Sequence, residues 1–336
     1  MQHFPPVAVR FIAPVAIAPH RRDKSRRYQP FGHRIAIILL EWVLLLGVMI
    51  FNSTLALAQT PTFDGERAFQ DLERQCAFGP RNPGSPGYIA CRKWLVNELE
   101  KSAGEVFQQN FEAVEALTGD KRSLTNIIAR FPGSGGTPTM LCAHWDTRAY
   151  ADQDPDPKNR TTPIPGANDG ASGVAVLLEI ARIAAEFPPP RELWIVFFDG
   201  EDMGRGGHSE EYALGSRFWA THPTPGKPSD AILLDMVGDA DLEIPIEYFS
   251  QAKAPALRRH LWELAREVGS EAFVDSPGPA VADDHVPLQQ IGVRAVDLID
   301  FDYTWWHTLQ DTPDKCSAES LEQVGKVLVA YLYGIK

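Results

Sequence analysis

Leu193-Trp194-Ile195-Val196-Phe197-Phe198-Asp199-Gly200-Glu201-Asp202 is the stretch around which the rest of the chain is organised. Six consecutive apolar residues, rich in aromatic and β-branched types, suit a central strand buried on both faces. The run stops at Asp199-Gly200 and delivers two acids, Glu201 and Asp202. In open α/β sheets, ligands bind outside the carboxyl ends of the strands, so acids delivered there are placed for chemistry. Adjacent acids at a strand end point in different directions, so one can hold a metal while its neighbour handles protons. A solvated acidic turn is the competing reading, and the flanking sequence decides between them.

Downstream of residue 138, short apolar runs alternate with helical patterns. Met140–Ala143 reads as a strand ending at His144-Trp145-Asp146. Gly166-Ala167-Asn168-Asp169-Gly170 leads into a helix over Ala171–Phe187, stopped by three prolines. A helix over Glu210–Thr221 and a strand over Ala231–Val237 follow, the strand carrying Asp235. Then come a helix at Pro255–Val268, a strand at Val293–Ile299 and a helix at Ser317–Leu332. That order implies a three-layer α/β fold, a mostly parallel mixed sheet with helices on both faces. Upstream, the patterns predict helices at Phe63–Phe78 and Tyr88–Ser102, joined by a turn-rich loop, Gly79–Gly87, and strands at Val106–Val114 and Ser123–Phe131. The polar, proline-rich Tyr150–Pro165 reads as a long loop over the active face.

The chain has 336 residues and a net charge of −12, which argues against a nucleic-acid backbone as partner. The charge is uneven: residues 1–58 hold seven Lys/Arg against two Asp/Glu, a net of +5, so the remainder stands at −17. Arg21, Arg22, Lys24, Arg26, Arg27 and Arg34 precede an apolar run from Ile35 to Phe51, followed by Ala56-Leu57-Ala58. A basic region, an apolar region and a small-x-small site make a secretory signal, cleaved near Ala58. Residues 1–58 are thus expected to be leader and signal peptide, and 59–336 a single exported catalytic domain. Membrane anchoring through residues 35–51 is the alternative; after cleavage no stable span is expected. Four cysteines, Cys76, Cys91, Cys142 and Cys316, form no Cys-x-x-Cys pair. Export would permit a Cys76–Cys91 disulfide, with two separate buried thiols as the alternative.

Several strand ends now carry polar residues: His144 and Asp146, Asp169 just downstream, Glu201 and Asp202, and Asp235. Asp283-Asp284-His285 and Trp305-Trp306-His307-Thr308 come later. Histidine and carboxylate donors without thiolate suit a catalytic zinc with an open position. His20, His33 and His208 read as structural or exposed.

The set His144-x-Asp146, Gly166-Ala167-x-Asp169, Glu201-Asp202, Leu234-Asp235-Met236 and His307 resembles the zinc aminopeptidase superfamily, with its phosphorylase/hydrolase-like α/β fold. Gly215-Ser216-Arg217, Asp283-Asp284-His285-Val286-Pro287 and Trp306-His307-Thr308 resemble its glutaminyl-peptide cyclotransferase branch. The resemblance spans roughly residues 65–336. It implies zinc held by Asp169, Asp202 and His307, with Glu201 as general acid/base. Asp235 and Asp283 would form an acid network beside it. Trp306 would wall the substrate pocket, and His285 would face substrate from the same motif as Asp283. Aminopeptidase relatives hold a second zinc, which here would fall to His144 and Asp235 with Asp169 bridging. The chain departs from animal cyclases at Met203-Gly204-Arg205-Gly206-Gly207-His208, where they carry a tryptophan. Their disulfide beside the metal is also without a counterpart, since Val174 takes the partner position. The expected activity is conversion of N-terminal Gln on peptides or proteins to pyroglutamate with release of ammonia. Metallo-aminopeptidase hydrolysis is the alternative. One zinc per chain is expected, with two as the alternative, and the oligomeric state stays open.

Overall fold

In the computed structural model, which describes residues 60–334, the organising stretch is a strand at the middle of a six-stranded sheet. In chain order the elements are α1 (Gly65–Cys76), α2 (Pro86–Glu100), β1 (Glu105–Val114), β2 (Lys121–Phe131) and β3 (Thr139–His144). Then come α3 (Ala171–Glu186), β4 (Leu193–Phe198), α4 (Leu214–Thr221), β5 (Asp230–Asp235) and β6 (Ile244–Ile246). The chain continues through α5 (Tyr248–Lys253), α6 (Pro255–Val268), β7 (Phe273–Pro277), α7 (His285–Gln290), β8 (Arg294–Ile299) and α8 (Ala318–Tyr333). The sheet order is β1-β2-β4-β3-β5-β8. β4, β3, β5 and β8 run parallel, while β1 and β2 form an antiparallel edge.

Strand periodicity splits β4 between two cores. Leu193, Ile195 and Phe197 join a large cluster under α1, α2, α3, α6 and α8. Trp194, Val196 and Phe198 face the other way, with Trp219 of α4 and Leu288 of α7. All six are buried, each worth about 1.5–3 kcal/mol relative to exposure. Helices therefore cover both faces, as the apolar run requires.

From β3 the chain crosses to β4 on one side and then to β5 on the other. This reversal opens a crevice outside the carboxyl end of β3, the position where open α/β sheets bind ligands. Two glycines shape it. Gly170 has φ +100, and a Cβ there would lie 2.5 Å from the Asp146 carbonyl oxygen. Gly200 has φ +71, turning the chain sharply between Asp199 and Glu201.

The structure corrects several expectations. The helix expected from Glu210 starts only at Leu214. Ala213 takes a left-handed φ of 55, because Ala213 N and Leu214 N donate to the Glu201 and Gly200 carbonyls at 3.0 and 3.2 Å. The segment is thereby drawn onto the acidic turn and cannot continue a helix upstream. A two-stranded sheet of β6 and β7, and the short helices α5 and α7, carried too little periodicity to be read. Cys76 and Cys91 are free thiols, as are Cys142 and Cys316. Burial raises the Cys76 and Cys91 thiols to about 11 and 12. The leader, the apolar run 35–51 and Ala56-Leu57-Ala58 lie outside the described residues. Among the described residues no helix is long and apolar enough to cross a membrane.

Candidate active site

The crevice is a cavity of about 350 Å³. Asp169, Glu201, Asp202, Asp235, Asp283 and His307 line its floor, with Trp306, Phe301 and Val281 on one wall. Gly206, Gly207, His208 and Tyr212 line the other. The loop that departs from the animal-cyclase pattern thus borders the cavity, and His208 is part of it.

Each functional side chain is delivered by a specific element. β3 ends at His144 and β5 at Asp235, and their side chains meet: His144 Nε2 lies 3.1 Å from Asp235 Oδ1 and 3.3 Å from Asp169 Oδ1. Asp169 enters from the turn before α3. Its other oxygen, Oδ2, lies 3.6 Å from His307 Nε2, which is 3.3 Å from Asp202 Oδ1. Asp169 therefore stands between two candidate metal clusters, His144/Asp169/Asp235 and Asp169/Asp202/His307, all buried.

The donor set fits a metal. Asp169 Oδ2 and Asp202 Oδ2 are buried with no hydrogen-bond partner among the described residues, a costly arrangement unless a cation or proton completes it. Asp202 is held below the usual carboxylate range: burial opposes its charge, but His307 and Arg148 outweigh burial. His307 shows the converse. Burial opposes its proton, yet Asp202 and Asp152 raise it to about 9. Protonated, the ring would balance the acids; a bound metal would take the place of that proton, because only the neutral ring ligates. His307 and Met236 also hold positive φ angles, 55 and 46, each costing on the order of 1–3 kcal/mol. Such strain clusters where a site demands a fixed side-chain direction.

Glu201 lies beside this cluster, 9% exposed. Burial, then the nearby Asp283 carboxylate, push its carboxyl well above the ordinary value. Asp283 is likewise raised, by burial and by Asp235 and Asp284. A carboxyl at this position, beside the candidate metal cluster and on the cavity lining, is placed to take and return a proton. Trp306 stacks on His307 at 3.7 Å between ring centroids, giving the cavity a flat apolar wall.

His285 corrects the expectation of a substrate contact. It is fully buried, outside the cavity lining, with Nε2 3.4 Å from Glu247 Oε2 and Nδ1 3.5 Å from Asp297 Oδ2. Its helix, α7, packs that face inward, so it sits behind Asp283. Asp146 also serves from behind, accepting the Glu201 and Asp202 backbone N–H groups at 3.1 and 3.3 Å.

Several supporting residues escaped the sequence reading. Asp311 accepts from Asn168 N and Asp169 N at 2.8 and 3.2 Å and from Tyr303 Oη at 2.9 Å, fixing the turn that presents Asp169. Buried Arg81 donates to the Pro165 and Gly166 carbonyls, pinning the far end of the long loop. Arg148, two residues before that loop, and Asp152, within it, pair with Asp202 and His307. The one sequence signal for them was an unusually long, charged loop beside the site.

The sequence profile of Peptidase family M28 matches residues 126–332. Glutaminyl-peptide cyclotransferase of Bos taurus is 24% identical over 285 residues, covering 75% of this chain and 77% of its own. The crystal structure of Porphyromonas gingivalis glutaminyl cyclase matches with a TM-score of 0.78 at 36% identity, covering 81% of this chain and 99% of that one. A leucine aminopeptidase precursor from Bacteroides thetaiotaomicron matches with the same TM-score, 0.78, at 34% identity, covering 83% and 99%.

Proposed function

The chain belongs to peptidase family M28, and on that premise we propose that it is a zinc-dependent glutaminyl-peptide cyclotransferase. The observation that carries this reading is the joint presence of Asp283 and Trp306 on the cavity that holds Glu201 and the Asp169/Asp202/His307 cluster. Zinc, when bound by those three residues, supplies Lewis acidity to the γ-carbonyl of an N-terminal Gln. Glu201 accepts the proton of the attacking α-amine and returns it to the departing ammonia. Asp283, on the lining of the same cavity, would accept from the amide nitrogen of the substrate. Trp306 packs on the compact Gln side chain and keeps amine and carbonyl in reach. The nucleophile is intramolecular, so positioning supplies much of the rate.

Aminopeptidase hydrolysis is the second reading. It is favoured by the His144/Asp169/Asp235 cluster, which offers a second metal position with Asp169 between the two. Product analysis separates the readings. Purified, zinc-loaded protein incubated with a glutaminyl peptide should release ammonia and leave a pyroglutamyl peptide with its peptide bonds intact. Free amino acids without any pyroglutamyl product would defeat the cyclase reading.

The substrates proposed are peptide or protein N-termini. Export with cleavage near Ala58 also belongs to this reading, since the basic leader and apolar run precede a domain starting at Gln59. The mass of the mature chain tests it: an intact leader in the membrane fraction would favour anchoring through residues 35–51.

A further inference from the structure

The segment 151–154 wraps the turn that carries His307. Asp152 Oδ1 lies 3.2 Å from His307 Nδ1. Gln153 N donates to the His307 carbonyl at 3.2 Å, and Leu309 N donates to Asp154 Oδ2 at 3.1 Å. Asp152 is itself clamped. Arg148 donates through Nε to Oδ1 at 2.7 Å and through Nη2 to Oδ2 at 3.0 Å. The same guanidinium donates through Nη1 to Asp202 Oδ1 at 2.9 Å. One guanidinium–carboxylate pair therefore touches two of the three residues in the candidate metal cluster.

The points of contact are selective. Asp152 meets His307 at Nδ1, while Nε2 faces Asp169 and Asp202. Arg148 occupies Asp202 Oδ1, and Oδ2 has no hydrogen-bond partner among the described residues. We propose that Asp152, fixed by Arg148, is the positioning residue that sets the tautomer and orientation of His307 for metal binding. The Asp152–His307 contact is an ion-pair approach, since Nδ1 makes no hydrogen bond among the described residues; an acceptor-only carboxylate at that edge favours the ring proton there, which would leave the Nε2 lone pair for an ion. Arg148 acts on Asp202 in parallel, holding Oδ1 and so fixing the direction of the carboxylate.

This inference rests on the metal reading of Asp169, Asp202 and His307, and is independent of whether the protein cyclises or hydrolyses. Zinc affinity is measured by chelator competition on the full chain. Asp152→Ala and Asp152→Asn should each bind zinc about 10–100-fold more weakly, measured at a temperature where each metal-free variant is still folded. The amide of Asp152→Asn can donate as well as accept, so the wrong tautomer becomes accessible and the visible absorption of the cobalt-loaded variant should shift. Asp156→Ala, exposed in the same loop, should keep wild-type affinity. Equal zinc affinities and identical cobalt spectra for wild type and both Asp152 variants would overturn the proposal. So would an equal loss in Asp156→Ala, which would assign the effect to the loop at large. A wild-type protein that binds no zinc would remove the metal reading itself, whereas failure to form pyroglutamate leaves this inference standing.

Discussion

Asp146, two residues beyond the end of β3, accepts the backbone N–H of Glu201, just beyond β4, at 3.1 Å. Its second oxygen takes the N–H of Asp202 at 3.3 Å. The two parallel strands are neighbours, with Trp145 N donating to the Phe198 carbonyl at 3.0 Å. One fully buried carboxylate thus sets the turn that aims both the proposed general base, Glu201, and a candidate metal ligand, Asp202.

Asp146→Asn should disturb both. The amide keeps one acceptor but presents N–H groups to a backbone N–H. A stability loss of about 1–3 kcal/mol is expected from the misplaced donor, read by denaturant unfolding. Turnover should fall further, on the order of 100-fold, because small displacements at the reacting centre are amplified. Wild-type turnover with lowered stability would confine Asp146 to a structural role.

Glu201→Gln and His307→Ala should separate base from ligand. The Gln variant should keep its zinc and lose turnover by about 10²–10⁴-fold, since an amide accepts no proton. The Ala variant should lose both, because it removes the one imidazole of the Asp169/Asp202/His307 set. Metal analysis beside a turnover assay distinguishes them, and a fully active Gln variant would exclude Glu201 as the base.

Asp283→Ala tests the feature that sets the cyclase reading apart. Ammonia release from a glutaminyl peptide should drop by about 10²–10³-fold, the loss typical of one preorganised hydrogen-bonding group. Zinc content should hold, since Asp283 lies outside the Asp169/Asp202/His307 set. Unchanged release would remove Asp283 from substrate binding.

Glu247 predicts a pH dependence of stability. It caps α5, accepting from Phe249 N at 2.8 Å and Ser250 N at 2.6 Å, with His285 3.4 Å away. Burial opposes its charge, but His285 and the two backbone N–H groups outweigh burial and lower the carboxyl to about 2 from an ordinary 4.5. A lowered carboxyl stabilises the fold fully above its unfolded value, and that stabilisation is lost as pH falls through the folded value. Glu247→Gln should therefore lower Tm at neutral pH, and its gap from wild type should close between about pH 4.5 and pH 2. A gap that stays constant across that range would refute the assignment.

Local pattern was enough for the sheet and part of the site. The unbroken run Leu193–Phe198 could only be buried on both faces, and alternation with helices made the sheet parallel. Strand ends then placed His144, Glu201, Asp202 and Asp235 on one edge, because parallel strands share a carboxyl end. Those relationships depend on residues close in sequence and on a topology with few options. The short elements β6, β7, α5 and α7 escaped because three to six residues carry too little periodicity.

Tertiary structure alone decided which side chains meet. Asp311 holds the amide of Asn168 across 143 residues, and His285 turned inward between Glu247 and Asp297 rather than toward substrate. Arg148 and Asp152 lay in a loop without periodicity, where no pattern sets side-chain direction. A hydrogen bond depends on distance and angle in space. The sequence by itself determined the secondary elements and the edge at which the acids gather, since burial and pleating are local consequences of residue type. The pairing of those acids with Arg148, Asp152, Asp146 and Asp311 was decided only when the chain closed on itself and brought distant loops within 3 Å or so of the strand ends.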